Sequence, residues 1–249
     1  MILNTEAVVL NSRKYGDSSK ILKLFTREDG IVPVIAKGAR KTRNKYGSSL
    51  EPLSNTFATI YVKQGRSLQI LSNSEHKKPL RKIYESMEHL AAGLMMLESV
   101  SQTQDEGAAN EELFDLLISS LHLLDEICDN PFSLFVAFQL YLAELSGFAI
   151  DPHSVNDQID NFENGKVDFS LQNGSFDTSN GKNSEIISIK RSSFEILRKI
   201  STLSYEESSK VVINQKNVKD LLDFFVRYFS FHLEKKYWFR TYKLLMAHS

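Results

Sequence analysis

Along the first 78 residues, short apolar, β-rich runs recur between polar turn residues: TEAVVLNS, SKILKLFT, GIVPVIAKG, TFATIYVK and SLQILS. Rich in β-branched and aromatic residues and bounded by turn signals, these runs suit strands. Asp29-Gly30 separates the second run from the third and predicts a hairpin; Gly65-Arg66 marks a turn before the fifth. Five strands in so short a stretch, with no helical periodicity, predict a small barrel. The OB-fold is the commonest five-stranded form of that size.

After Pro79 the period lengthens. Ile83, Met87, Leu90, Leu94 and Leu97 step by four and three residues and share one helix face. A second helix is expected from about Asn110 to Ile127, built on Leu113, Leu116, Leu117, Leu124 and Ile127. The third has Asn130 as N-cap, Pro131 in its first turn, an apolar series of Leu134, Phe135, Phe138, Leu142 and Leu145, and Gly147 just past its end. Residues 148–188 are polar, and VDFSLQNGSFDT alternates around Asn173-Gly174 as a small β-hairpin would. Helical pattern returns at Ser192–Leu203 and from Gln215 to about Ala247, a stretch long enough for two helices or one bent one. The expected class is α+β. An OB-fold barrel over residues 1–78 precedes a helical domain over 79–249, in which 148–188 is a polar hairpin insertion.

Charge changes the picture. The formal net charge is only −1, yet residues 1–82 hold 16 Lys/Arg against 6 Asp/Glu, and the remainder 14 against 25. Such a split points to nucleic acid or another anionic surface on the basic side. The densest block, AKGARKTRNKYGSSLEP, joins the third and fourth predicted strands and carries Lys37, Arg40, Lys41, Arg43 and Lys45. Five like charges repel one another unless an anion sits among them, although a merely solvated loop is the simpler alternative. Gly38 and Gly47 let backbone approach a phosphate. Arg13, Lys14 and Lys20 are expected to add charge from the other end of the barrel. If all five loop cations met single-stranded phosphates, the salt slope would be roughly −3.5, at about −0.7 per contact.

A second cluster lies in RYFSFHLEKKYWFRTYK. On a continuous helix Lys236, Arg240 and Lys243 share a face, with Lys235 beside them and Tyr237, Trp238, Phe239 and Tyr242 interleaved. These aromatics either stack bases beside cations or anchor the helix in its core.

Enzyme chemistry is thinly represented. The six histidines are scattered without metal-ligand spacing. GSFDTSNGKNS puts six residues between its glycines where a phosphate loop needs four. Ser74-Glu75-His76-Lys77 fits S-x-x-K without its companion motifs. The single cysteine, Cys128, rules out an internal disulfide or a Cys-rich zinc site. The N-terminus lacks the pattern of a signal peptide, and no apolar window approaches the roughly 18 residues of a membrane span. A protein of the reducing cytoplasm, with no membrane association, cofactor or small-molecule substrate, is expected.

The segment EAVVLNSRKYGDSSKILKLFTREDGIVPVIAKGARKTRNKYGSSLEP resembles the opening of the RecO family, the bacterial recombination mediators of DNA repair. The likeness falls on Tyr15, Gly16, Thr26, Gly30, Lys37, Gly38, Ala39, Arg40, Ser48 or Ser49, Leu50, Glu51 and Pro52. The helical middle, the ELSGF turn at Gly147 and the basic-aromatic end are also similar. The resemblance implies an N-terminal OB-fold, a helical domain and no enzymatic turnover. It implies binding of single- and double-stranded DNA, annealing of complementary strands, and action with RecR to load RecA onto strands coated by single-stranded DNA-binding protein (SSB), hence association with the nucleoid. It also implies contact with the acidic C-terminal tail of SSB, for which the C-terminal cluster is a candidate. On this reading DNA meets Lys37, Gly38, Arg40, Lys41, Arg43, Lys45, Arg13 and Lys14. Many members carry a four-cysteine zinc module where this chain has residues 148–188, so no metal is expected. An OB-type RNA-binding protein, or an adaptor gripping an acidic peptide tail, are the alternatives.

Overall fold

A computed structural model describes residues 1–126, 128–154, 165–176 and 185–242. The chain divides into two compact units, 1–126 and 127–249.

In the first unit, strands β1 (Ile2–Tyr15), β2 (Ser19–Thr26), β3 (Gly30–Ala36), β4 (Asn55–Tyr61) and β5 (Gln69–Lys78) close into a barrel of order β1-β2-β3-β5-β4. The pleat of these strands sends Ala7, Val9, Leu22, Leu24, Val34, Ala58 and Ile60 inward. The expected hairpin forms, with Thr26 opposite Gly30. β3 meets β5 in parallel at only Val34–Gln69 and Ile35–Ile70. The earlier part of that strand is covered instead by the connection after the first helix, where Gly107 N donates to Ile31 O at 3.1 Å. Covering an edge in this way protects its unpaired backbone groups.

Helix α1 (Met87–Thr103) follows a 3₁₀ turn at Lys82–Tyr84, so Ile83 lies outside the helix. The predicted face is corrected too: Met87 is 63% exposed, Leu90 and Leu94 are half-buried, and Ala92, Met95, Met96 and Val100 point inward with Leu97. The helix is apolar on both sides, and its small residues select the inner one. A Cβ on Gly93 would stand 3.0 Å from Leu53 Cδ2, closer than a larger side chain permits. Helix α2 (Glu111–Glu126) starts at Asn110, whose Oδ1 accepts from Leu113 N at 3.0 Å, and buries Leu113, Phe114, Leu117, Leu121 and Leu124. Leu116 is half-buried, and Ile127 lies outside the described residues. Arg27 pairs with Asp115 and lies 4.9 Å over the Phe114 ring, tying this helix to the β2–β3 turn.

In the second unit α3 (Pro131–Leu145) is buried almost all round and is its central helix. Asn130 occupies the N-cap but its side chain caps nothing; its carbonyl instead accepts from both the amide and the hydroxyl of Ser133. Gly147, at φ +83°, ends the helix in the left-handed conformation glycine favours. The predicted small antiparallel sheet forms, but its turn is not at Asn173-Gly174. Strand β6 (Lys166–Ser170) pairs antiparallel with β7 (Ile186–Lys190), so Asn173-Gly174 does not join two paired strands. Gly174 makes a tight turn back onto Ser170, and its carbonyl accepts from Asp151 N at 2.8 Å. Residues 155–164 and 177–184 of the insertion lie outside the described residues. Then come α4 (Arg191–Ser201), α5 (Tyr205–Ser208), closed by a Ser204–Glu207 capping box, and α6 (Gln215–His232), capped by Asn214. Phe169, Phe176, Phe224 and Tyr228 pack edge-to-face or stacked between sheet and helix. No described helix is long and apolar enough to cross a membrane.

Candidate nucleic-acid interface

The basic loop between β3 and β4 is built, not slack. Ala39, Tyr46 and Leu50 bury themselves in the barrel core and act as its feet. Tyr46 Oη donates to Leu71 O at 2.9 Å, and burial pushes this phenol's pKa above its ordinary value. Asn44 Oδ1 accepts from the amides of Tyr46 and Gly47, an Asx turn that shapes the loop between its cations. Ser49 Oγ bridges Tyr46 O at 2.8 Å and Ser74 at 3.0 Å. Tyr46 and Asn44 carry no periodic signal inside a charged run, whereas Ala39, Leu50 and Ser48 or Ser49 are marked in the sequence only by the family likeness.

Arg40 decides where the charge lies. Its amide donates to Ser18 O at 2.9 Å and its Nη1 to Gly16 O at 2.9 Å, docking the loop on the β1–β2 turn. Arg13 and Lys14 stand on the arms of that turn, opposite Ile21 and Lys20. These cations therefore share one end of the barrel with the loop, a correction to the expectation that they act from the other end. Lys37, Arg40, Lys41, Arg43, Lys45, Arg13 and Lys14 are all exposed, whereas Gly38 is half-buried. Among the described residues, no carboxylate pairs with any of the seven. Lys45 Nζ sits 5.2 Å over the Tyr46 ring. Lys20 differs from the rest, because Glu51 takes its ammonium at 2.6 Å. The arrangement is a docked loop of unneutralised positive charge, suited to a polyanion's backbone.

The C-terminal cluster does not assemble as its spacing suggests. Helix α6 stops at His232, Glu234 adopts φ +50°, and the chain runs non-helical to Phe239. Lys235 and Lys236 thus precede the helical residues that begin at Arg240, and Lys243 lies outside the described residues. Tyr237 and Phe239 are core anchors: Tyr237 stacks on Phe229 at 4.8 Å, and Phe239 meets Phe135 edge-on at 5.4 Å. The Arg240 guanidinium lies 4.7 Å over Trp238. Cys128 is buried, which pushes its thiol up to about 11. Among the described residues, no three His, Cys, Asp or Glu side chains gather as a metal site.

Comparison with known proteins bears on both units. Residues 1–80 match the family model described as Recombination protein O N terminal, and residues 84–241 match Recombination protein O C terminal. The DNA repair protein RecO of Salinibacter ruber is 36% identical over 148 residues, covering 59% of this chain and 57% of that protein. That of Alkaliphilus metalliredigens is 34% identical over 153 residues, 61% of each chain. That of Desulforamulus reducens is 25% identical over 239 residues, 94% of this chain and 91% of the relative. In the first two the match spans less than two thirds of the relative's length.

Proposed function

The chain belongs to the RecO family, and on that premise we propose that it is a DNA repair and recombination protein that holds DNA by its phosphate backbone at the β3–β4 loop. The observation that carries this is the docking of Arg40 on Gly16 and Ser18. It fixes Lys37, Lys41, Arg43 and Lys45 beside Arg13 and Lys14 before any ligand arrives. Pre-positioned cations lose little freedom on binding, and each phosphate they neutralise releases counterions. Backbone contacts of this kind position a strand without reading its sequence. The protein would therefore act as a scaffold without turnover, bringing complementary strands together by screening their repulsion. As the family resemblance implies, it would work with RecR to load RecA onto strands coated by SSB, engaging the tail of SSB elsewhere on the molecule.

The test is fluorescence anisotropy with a labelled single-stranded 30-mer across a salt series. Arg40 shapes the loop as well as charging it, so the informative variant is Lys37→Ala/Lys41→Ala/Arg43→Ala with Arg40 retained. Losing three contacts would flatten the salt slope by roughly 2, at about −0.7 per contact. An unchanged slope in the folded variant would move DNA off this loop. An RNA competitor of equal length and an acidic peptide distinguish the RNA-binding and adaptor alternatives.

A further inference from the structure

Behind the basic loop, where its second half returns to the barrel, the first unit has a cleft of about 350 Å³, at the small end of ligand pockets, which run roughly 300–1,000 Å³. Its walls come from three places: Ser48 and Leu53 of the loop, His76 near the end of β5, and Leu80, Arg81 and Tyr84 of the segment leading to α1. The lining is mostly apolar, and Tyr84 is 49% exposed although its hydroxyl is tied to Pro52 O at 2.9 Å. A tyrosine held by its hydroxyl keeps the ring face in a fixed position.

We infer that this cleft receives one unpaired nucleobase of the strand held by the loop, stacked on Tyr84. The inference rests on the phosphate-tracking reading of Lys37–Lys45, and three observations commit the occupant. The cleft is continuous with the charged loop, since Ser48 lies three residues beyond Lys45, so a chain bound along the cations reaches the opening directly. Its charge is complementary: Arg81 is exposed at the cleft and, among the described residues, has no carboxylate partner, so it can meet a flanking phosphate. Glu51 also borders the cleft, but its carboxylate is bound to Lys20. Its polar groups suit a base edge as well: Ser48 Oγ and His76 Nε2, hydrogen-bonded at 2.9 Å, offer donor and acceptor beside the apolar wall. Leu53, buried at φ +71°, holds a conformation a branched side chain rarely adopts. Strain of that kind gathers at ligand sites.

A paired base cannot enter such a cleft, so the pocket makes the protein selective for single strands where the loop alone is not. Two labelled 20-mers carrying the same phosphates separate the contributions: oligothymidylate, and an abasic strand of tetrahydrofuran residues. The wild type is expected to bind thymidylate about tenfold tighter, the equivalent of about 1.4 kcal/mol. Tyr84→Ala should cut that preference below twofold while abasic affinity, set by the loop cations, stays; Tyr84→Phe should keep the preference. Ser48→Leu, which crowds the mouth from an exposed position, gives the same answer should Tyr84→Ala fail to fold. Equal wild-type affinity for both strands, or a preference surviving both changes, overturns the cleft and leaves the loop standing. Binding of neither strand overturns both.

Discussion

Arg40 reaches across 24 residues of sequence to place its Nη1 2.9 Å from Gly16 O, closing the β3–β4 loop onto the β1–β2 turn. One arginine thereby both carries charge and gathers the charge of its neighbours. Arg40→Ala should weaken DNA binding more than Lys41→Ala, because it also frees the loop. Hydrogen exchange at Lys41–Gly47 should quicken in Arg40→Ala alone, with global stability lower by about 1 kcal/mol or less. Equal losses of affinity, with exchange unchanged, would reduce Arg40 to one cation among several.

Gly30 pins the same barrel at the β2–β3 turn. At φ +60° it already needs glycine, and an added Cβ would stand 2.1 Å from Ala108 O in the connection that covers β3. Gly30→Ala therefore combines backbone strain with a collision against main chain that cannot rotate away. A loss of roughly 2 kcal/mol or more is expected in urea denaturation. Gly65→Ala is the control for φ alone: Gly65 has φ +74°, and a Cβ added there would meet no atom within 4 Å. A similar loss at both sites would mean that the contact with Ala108 contributes nothing.

In the second unit His232 stacks on Phe148, with ring centroids 4.7 Å apart, and its Nε2 bonds to Leu171 O at 2.9 Å. Burial pushes its pKa below the ordinary histidine value, and the Leu171 carbonyl offsets part of that. As pH falls through about 6.5 the unfolded chain takes up the proton before the folded one does, so stability is full above that pH and declines below it. His122 is shifted the same way, by burial and then by Lys78. The urea midpoint should drop between pH 7.5 and 5.5, and His232→Phe, which keeps the stack, should shallow that drop. Parallel pH profiles for the two proteins would exclude His232 as a contributor.

Tyr228 ties the insertion to its helix. Its hydroxyl donates toward Phe148 O at 2.9 Å, with Ala149 O at 3.2 Å, and burial pushes the phenol's pKa far upward. Tyr228→Phe keeps the ring stack but removes the one proton that Phe148 O and Ala149 O share, at a cost of about 1–3 kcal/mol by chemical denaturation. A change below 0.5 kcal/mol, within the roughly ±0.5 of inert surface substitutions, would show that water replaces the hydroxyl.

What was legible in the sequence depended on how many faces each element buries. In the barrel, Leu22, Leu24, Val32 and Val34 face the interior at a period of two, as the strand reading expects, whereas Val8, Phe25 and Ile31 are buried on the opposite face and blur that pattern. Helix α1 is apolar on two sides, and leucine spacing chose Leu90 and Leu94 where packing chose Met95 and Met96. The basic loop was plain from charge alone, but its shape hangs on the local turn made by Asn44 and on Tyr46 and Ser49, which reach 25 residues on to Leu71 and Ser74 of β5 and leave no period. β6 finds its partner beyond Gly174 because Ile187 and Ile189 bury the same face as Val167 and Phe169; the nearer alternation was only a turn. Past His232 the sequence keeps helical spacing through its aromatics while the backbone has already turned at Glu234.

That last divergence separates two uses of one segment. Tyr237 is 1% exposed, stacks on Phe229 and places its hydroxyl 3.2 Å from Gln139 Oε1. Phe239 packs beside it at 5.3 Å. Rings filled in this way cannot also stack bases. Tyr237→Ala should cost about 3–5 kcal/mol, as large-to-small changes in aromatic cores do. Lys235→Ala/Lys236→Ala, both exposed, should leave stability within about 0.5 kcal/mol. If the segment also bound DNA, the double lysine variant would shallow the salt slope of single-strand binding by roughly 1.4, at about −0.7 per contact. The geometry predicts no such change, because nothing aligns these lysines with Arg240. A shallower slope would restore the C-terminal segment as a second DNA contact built on a turn instead of a helix face.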